Sequence, residues 1–117
     1  MASNTNDQYD HIIQNCRTTF LKKTQDYGTS WRVYRTISIA DQVYIKAKRI
    51  RTIQEKKIQR IGDDIKSEFE GILNYCIIGL IQLQINNDDL EQLSVQTVQQ
   101  YYDGIVAQAK QLMQDKN

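Results

Sequence analysis

Apolar residues recur along this chain in steps of three and four, with polar residues between them, and four stretches carry that rhythm. Tyr9, Ile12, Ile13, Cys16 and Phe20 make one stripe, which predicts a helix over residues 6–24, closed by Gly28. Val43, Ile50 and Ile53 make a second stripe, in a helix predicted over 38–57. Ser38, three residues before Asp41, approximates a capping box at its start, and Gly62 marks the turn after it. A third helix is predicted over 63–85. Its apolar residues (Ile65, Phe69, Ile72, Leu73, Cys76, Ile77, Ile78, Leu80, Ile81 and Leu83) cover most of the circumference, the pattern of a central, buried helix. NNDD at 86–89 ends it, and a fourth helix over 94–116 sets Val98, Tyr102, Ile105, Val106, Ala109, Leu112 and Met113 on one face. Four amphipathic helices joined by short connections predict an all-α, four-helix bundle-like fold.

Composition supports helix and narrows the setting. The 117 residues suffice for one helical domain and contain no proline. No run is apolar and long enough for a membrane span, and the start MASNTNDQYD lacks the blocks of a signal peptide. A cytoplasmic protein with no membrane partner is expected. Cys16 and Cys76 both fall in apolar helical patterns, so core packing is expected of them rather than a disulfide or a metal site. Residues 9–24, YDHIIQNCRTTFLKKT, align without gaps on 102–117, YDGIVAQAKQLMQDKN. From that match, residues 102–117 are read as the start of a second, truncated repeat. The apolar face of the fourth helix should then pack back on the first unit or seek another copy of the chain, and a homo-oligomer is expected.

Charge is unevenly spread although the net value is +1. From Arg17 to Arg60 there are twelve lysines and arginines against three acids, and the flanking segments are acidic. This is either a standing anion-binding face or a set of charges neutralised across a bundle. The loop DYGTSWRVYR at 26–35 concentrates the only tryptophan, two tyrosines and two arginines. Such residues grip planar or anionic ligands, and they also anchor loops to a core.

On the third helix Asp64, Glu68, Gly71, Tyr75 and Gln82 fall in one narrow polar strip. Two carboxylates one turn apart can hold a divalent cation through oxygen. The competing reading places Asp64 at a helix start and pairs Glu68 with a cation of the second helix. Lys46 falls within the apolar stripe of the second helix with Gln42 and Arg49 beside it. A lysine so placed must reach Glu68 and Asp64 or a bound anion. His11 has no nucleophile–acid constellation around it in the sequence, and there is neither a glycine-rich phosphate loop nor a paired CxxC motif.

Taken in order, KKTQDYGTSWRVYR, SIADQVYIKAKRIRTIQEKK and EFEGILNYCIIGLIQLQ resemble the nucleotide modification associated domain 1 family, a bacterial and phage family of unknown function. The likeness covers residues 9 to about 85 and rests on DYGxSW, DQxxxKxxRI and the NY pair. Relatives often carry the unit twice, which fits the repeat, and in phages they occur beside enzymes of modified DNA bases, a context that implies a role with nucleotides. The carboxylate layout is also loosely similar to the MazG-type all-α nucleoside triphosphate pyrophosphohydrolases, which hold magnesium with ExxE and ExxD motifs. Glu68 matches the Glu of ExxD, Gly71 stands where its Asp should be, and Asp41 alone substitutes for ExxE.

The resulting expectation is a nucleotide- or phosphate-binding helical domain with a magnesium-dependent pyrophosphohydrolase-like activity in view. Arg32, Arg35, Lys46 and Arg49 would neutralise phosphates, Tyr27 and Trp31 would bracket a base, and Asp41, Asp64 and Glu68 would hold magnesium. For Trp31 the alternative is a buried loop anchor. The alternative for the whole chain is a non-catalytic helical interaction module. Nucleic-acid binding is the weakest reading, because a net charge near zero exerts no long-range pull on a polyanion.

Overall fold

The computed structural model describes residues 2–56, 64–85 and 92–116, with side chains from residue 5 in the first helix and from residue 65 in the third. Among them, regular structure is entirely helical: α1 (Ala2–Tyr27), the short 3-10 turn η1 (Ser30–Val33), α2 (Thr36–Lys56), α3 (Asp64–Ile85) and α4 (Val95–Lys116). The expected all-α class and its four helices are present. Gly62 and the NNDD run lie outside the described residues. The chain divides into two compact units. Unit 1 is Met1–Arg32 with Asn87–Asn117, and unit 2 is Val33–Asn86.

Unit 1 pairs α1 with α4. The pairing is antiparallel, since Lys110 reaches Asp10 while Asp103 reaches Arg17. Its core is Cys16, Phe20, Trp31, Val98, Tyr102 and Ile105, all buried. The Phe20 ring lies 5.2 Å from that of Tyr102 and 6.5 Å from that of Trp31. Of the two expectations for the apolar face of α4, packing back on the first unit is the one seen, since it packs on α1, although Leu112 at its far end is 60% exposed. Ser94 caps α4 by accepting from the Thr97 amide at 3.1 Å.

α1 runs three residues beyond the predicted end. Nothing in KKTQDY opposes helix, and the chain turns only where Gly28 takes φ 74°, a conformation that costs side-chain-bearing residues steric strain. The Gly28 amide donates to the Thr24 carbonyl at 2.8 Å. At α2 the capping prediction is corrected. The helix already begins at Thr36, and the Arg35 carbonyl accepts from the Ile39 amide at 3.1 Å. Ser38 thus lies inside the first turn, because nothing in Thr36 or Ile37 resists helical geometry.

Unit 2 is an antiparallel hairpin of α2 and α3: Glu68 meets Lys46, Gly79 meets Ile39, and Gln82 donates to the Tyr34 carbonyl at 3.2 Å. The expectation that α3 is buried on most sides is corrected too. At about 100° per residue its residues sort into three faces. Glu68, Gly71, Gly79 and Gln82 face α2. Ile77, Ile78 and Ile81 are buried on a second face, while Phe69, Cys76, Leu80 and Leu83 stand exposed on a third. Cys76 is accordingly no core residue, whereas Cys16 is.

Candidate functional site

The polar strip of α3 turns toward α2, and its chemistry centres on Glu68. Oε2 of Glu68 lies 3.4 Å from Nζ of Lys46, and Oε1 lies 3.5 Å from the Arg49 guanidinium. These contacts are long for ion pairs, but Glu68 and Lys46 are half-buried, with side chains 17% and 20% exposed. Arg49, at 62%, keeps most of its guanidinium in solvent. Lys46 can lie across α3 because position 71 is glycine. A β-carbon there would sit 2.8–3.0 Å from the outer carbons and the amine of Lys46. The helix thus carries a notch for the lysine stem.

Beside this cluster runs an open groove of about 590 Å³, lined by Tyr44, Ile45, Lys48, Arg49, Thr52, Ile53 and Glu68. A second depression of about 420 Å³ shares Tyr44, Lys48 and Thr52 and adds the Arg51–Glu55 pair. Glu68 is the only acidic residue lining the larger groove among the described residues, and Lys48 and Arg49 line it with Lys46 behind. Unit 1 offers a contrasting depression of about 340 Å³ where Arg17 and Lys110 are matched by Asp103 and Asp10. Positive charge in excess is therefore a property of the α2 groove.

Periodicity had singled out Lys46 and Arg49, and both converge on Glu68. It passed over Tyr44, Lys48 and Thr52, which lie toward the solvent side of α2. Their signal was a tyrosine, 67% exposed, with lysine one turn on and threonine two turns on, a pattern shared by any solvated helix face. None of the remaining candidates lines the groove among the described residues. Arg35 and Asp41 are exposed. Asp64 begins α3, and its side chain lies outside the described residues.

Tyr27, Trp31 and Arg32 belong to unit 1. Tyr27 is 77% exposed, whereas Trp31 and Arg32 are buried. Trp31 packs on Phe20, and its neighbour Thr29, also buried, accepts from the Leu93 amide at 2.9 Å. Thr29 and Trp31 thus bind the DYGTSW segment into unit 1 as a structural anchor. No three carboxylate, histidine or cysteine side chains gather in metal-binding geometry among the described residues. Each oxygen of Glu68 faces a cation, and of the other two expected magnesium ligands Asp41 is exposed and the side chain of Asp64 lies outside the described residues.

Comparison with known families adds one match. The family model for nucleotide modification associated domain 1 matches residues 23–83. The chain belongs to that family. The match takes in the end of α1, the DYGTSW anchor, all of α2 and nearly all of α3, and so the whole groove. No curated protein and no solved structure matches the chain. No helix among the described residues is long and apolar enough to cross a membrane.

Proposed function

We propose that unit 2 binds a phosphorylated small molecule of the nucleotide class in the groove along α2. The observation that carries this reading is the excess of cations there: Lys46 and Arg49 pair with the carboxylate of Glu68, the one acidic residue lining the groove among the described residues, and Lys48 lines it as a further cation. A phosphate would complete that balance, with Arg49 as the two-pronged donor. Tyr44 offers an exposed ring against which a base can lie, and Thr52 a hydroxyl. The groove volume falls in the range of about 300–1,000 Å³ common to small-molecule sites. The family's description as nucleotide modification associated agrees with a nucleotide ligand.

Glu68 serves in this reading as the counter-ion that holds Lys46 and Arg49 in place. The function proposed is binding and not hydrolysis, since Glu68 would have to leave both cations before it could ligate magnesium. The test is a titration of the labelled protein with deoxynucleoside triphosphates, followed by backbone amide shifts, at low and high salt, with and without magnesium. Shifts should concentrate at Tyr44, Lys48, Arg49 and Thr52 and weaken with salt. Arg49→Ala should lower affinity about tenfold, as loss of one charge-assisted hydrogen bond does. Binding found only with magnesium would restore Asp41, Asp64 and Glu68 to a metal role. Absence of any shift would overturn the reading and leave the helical interaction module, which the exposed face of α3 favours.

A further inference from the structure

Phe69, Leu73, Cys76, Leu80 and Leu83 follow one another along α3 in alternating steps of four and three residues. That is the spacing of a coiled-coil seam. Phe69 is 56% exposed, Leu80 46% and Leu83 60%; Cys76 is exposed, and Leu73 is partly so. The stripe contains no charged residue and runs about 21 Å, at about 1.5 Å per residue. Single exposed apolar residues need no explanation, but a continuous seam on one helix does.

The order of the stripe indicates what covers it. Counted from Cys76, the large apolar residues lie seven before and seven after (Phe69, Leu83), and three before and four after (Leu73, Leu80). The stripe is therefore nearly the same read in either direction, as a two-fold contact between antiparallel copies of one helix requires. Charge chooses the orientation. Lys66 and Glu70 border the stripe in its N-terminal half, whereas Gln84 borders it in the C-terminal half. Two parallel copies would set Lys66 on Lys66 at the seam, and antiparallel copies would set Lys66 and Glu70 each against an uncharged stretch. A net charge of +1 leaves little long-range repulsion between copies.

We propose that the exposed face of α3 docks a second copy of this chain, the two α3 helices antiparallel, with Cys76 at the two-fold axis and Phe69 of each copy against Leu83 of the other. This contact is independent of the groove on α2 and stands whether or not a nucleotide binds there. Its limited length places it at the small end of specific interfaces, so self-association should be visible in the micromolar range.

Sedimentation of the reduced full chain over a concentration series should show a monomer–dimer equilibrium, and Leu80→Lys should raise its dissociation constant at least about tenfold. Leu80 is exposed enough for the substituted chain to keep its helices, which circular dichroism would verify. Mild oxidation should join two chains through Cys76, and Cys76→Ala should abolish the product, because Cys16 is buried. In a Cys76→Ala background, a mixture of Phe69→Cys and Leu83→Cys chains should cross-link, while each variant alone should not. A monomer at every concentration, a dimer indifferent to Leu80→Lys, or cross-linking of each single variant with itself would overturn the proposal.

Discussion

Both units of this protein are helix pairs crossed by cation–carboxylate contacts, but the contacts sit in different places. In unit 1 Arg17 grips Asp103 with two hydrogen bonds of 2.7 and 3.1 Å, and Lys110 meets Asp10 at 2.9 Å. Their carboxylates are 46% and 57% exposed and lie beside an aromatic and aliphatic core that needs no charge. In unit 2 the carboxylate is 17% exposed and lies between the helices, with two cations drawn to it at longer range. The shorter contacts are therefore not the more consequential ones. An exposed pair exchanges one well-solvated state for another, whereas Glu68 has lost water and depends on Lys46 and Arg49 for compensation.

The largest effect should come from the core of unit 1. Tyr102 is fully buried against Phe20, and Tyr102→Ala should cost about 3–5 kcal/mol in denaturant unfolding, the range for losing a buried ring. A loss below that of any ion-pair substitution would break the contrast. Next, Glu68→Ala leaves the half-buried Lys46 without its carboxylate at the α2–α3 contact and should cost about 1–2 kcal/mol. A null effect would mean that Lys46 simply turns to solvent.

Gly71 sharpens the point further. Glycine to alanine inside a helix ordinarily gains about 1 kcal/mol, but here the new methyl group displaces Lys46. Gly71→Ala should therefore be near neutral in the wild type and stabilising after Lys46→Ala. A double-mutant cycle should return a coupling of about 1 kcal/mol, and additivity would refute the notch. Arg17→Ala should cost about 0.5 kcal/mol, less in high salt. An equal loss at low and high salt would show that Arg17 acts through its stem and not its charge.

The smallest effect returns to Tyr102, whose buried hydroxyl has no hydrogen-bond partner among the described residues. Tyr102→Phe should lie within about 1 kcal/mol of wild type, neutral or stabilising, because no bond is lost. Burial, with the Cys16 thiol as a lesser influence, pushes the Tyr102 phenol from 10.0 up to about 12. The folded state thus keeps a proton that the unfolded state sheds, and the associated stability is present below pH 10.0 and lost as pH rises toward about 12. Alkaline unfolding of Tyr102→Phe should be the shallower over that window, and identical profiles would place the phenol in contact with water.

Much of this was legible in the chain because helical periodicity is a local property. Absence of proline, apolar steps of three and four, and Gly28 at the end of α1 determined an all-α protein and its four helices to within a few residues, since each depends only on neighbours one turn away. The same arithmetic placed Glu68, Gly71 and Gln82 on one strip and Lys46 on the stripe of α2. Periodicity says which residues share a face, but not what that face meets. Only tertiary structure decided that the strip of α3 turns to α2, where Glu68 is claimed by two cations, and that Trp31 is buried on Phe20. It also left the stripe from Phe69 to Leu83 uncovered while Ile77, Ile78 and Ile81 went inside. Two of the three faces of α3 are apolar, so hydrophobicity alone could not rank them. The choice among them rests on packing between residues far apart in the chain.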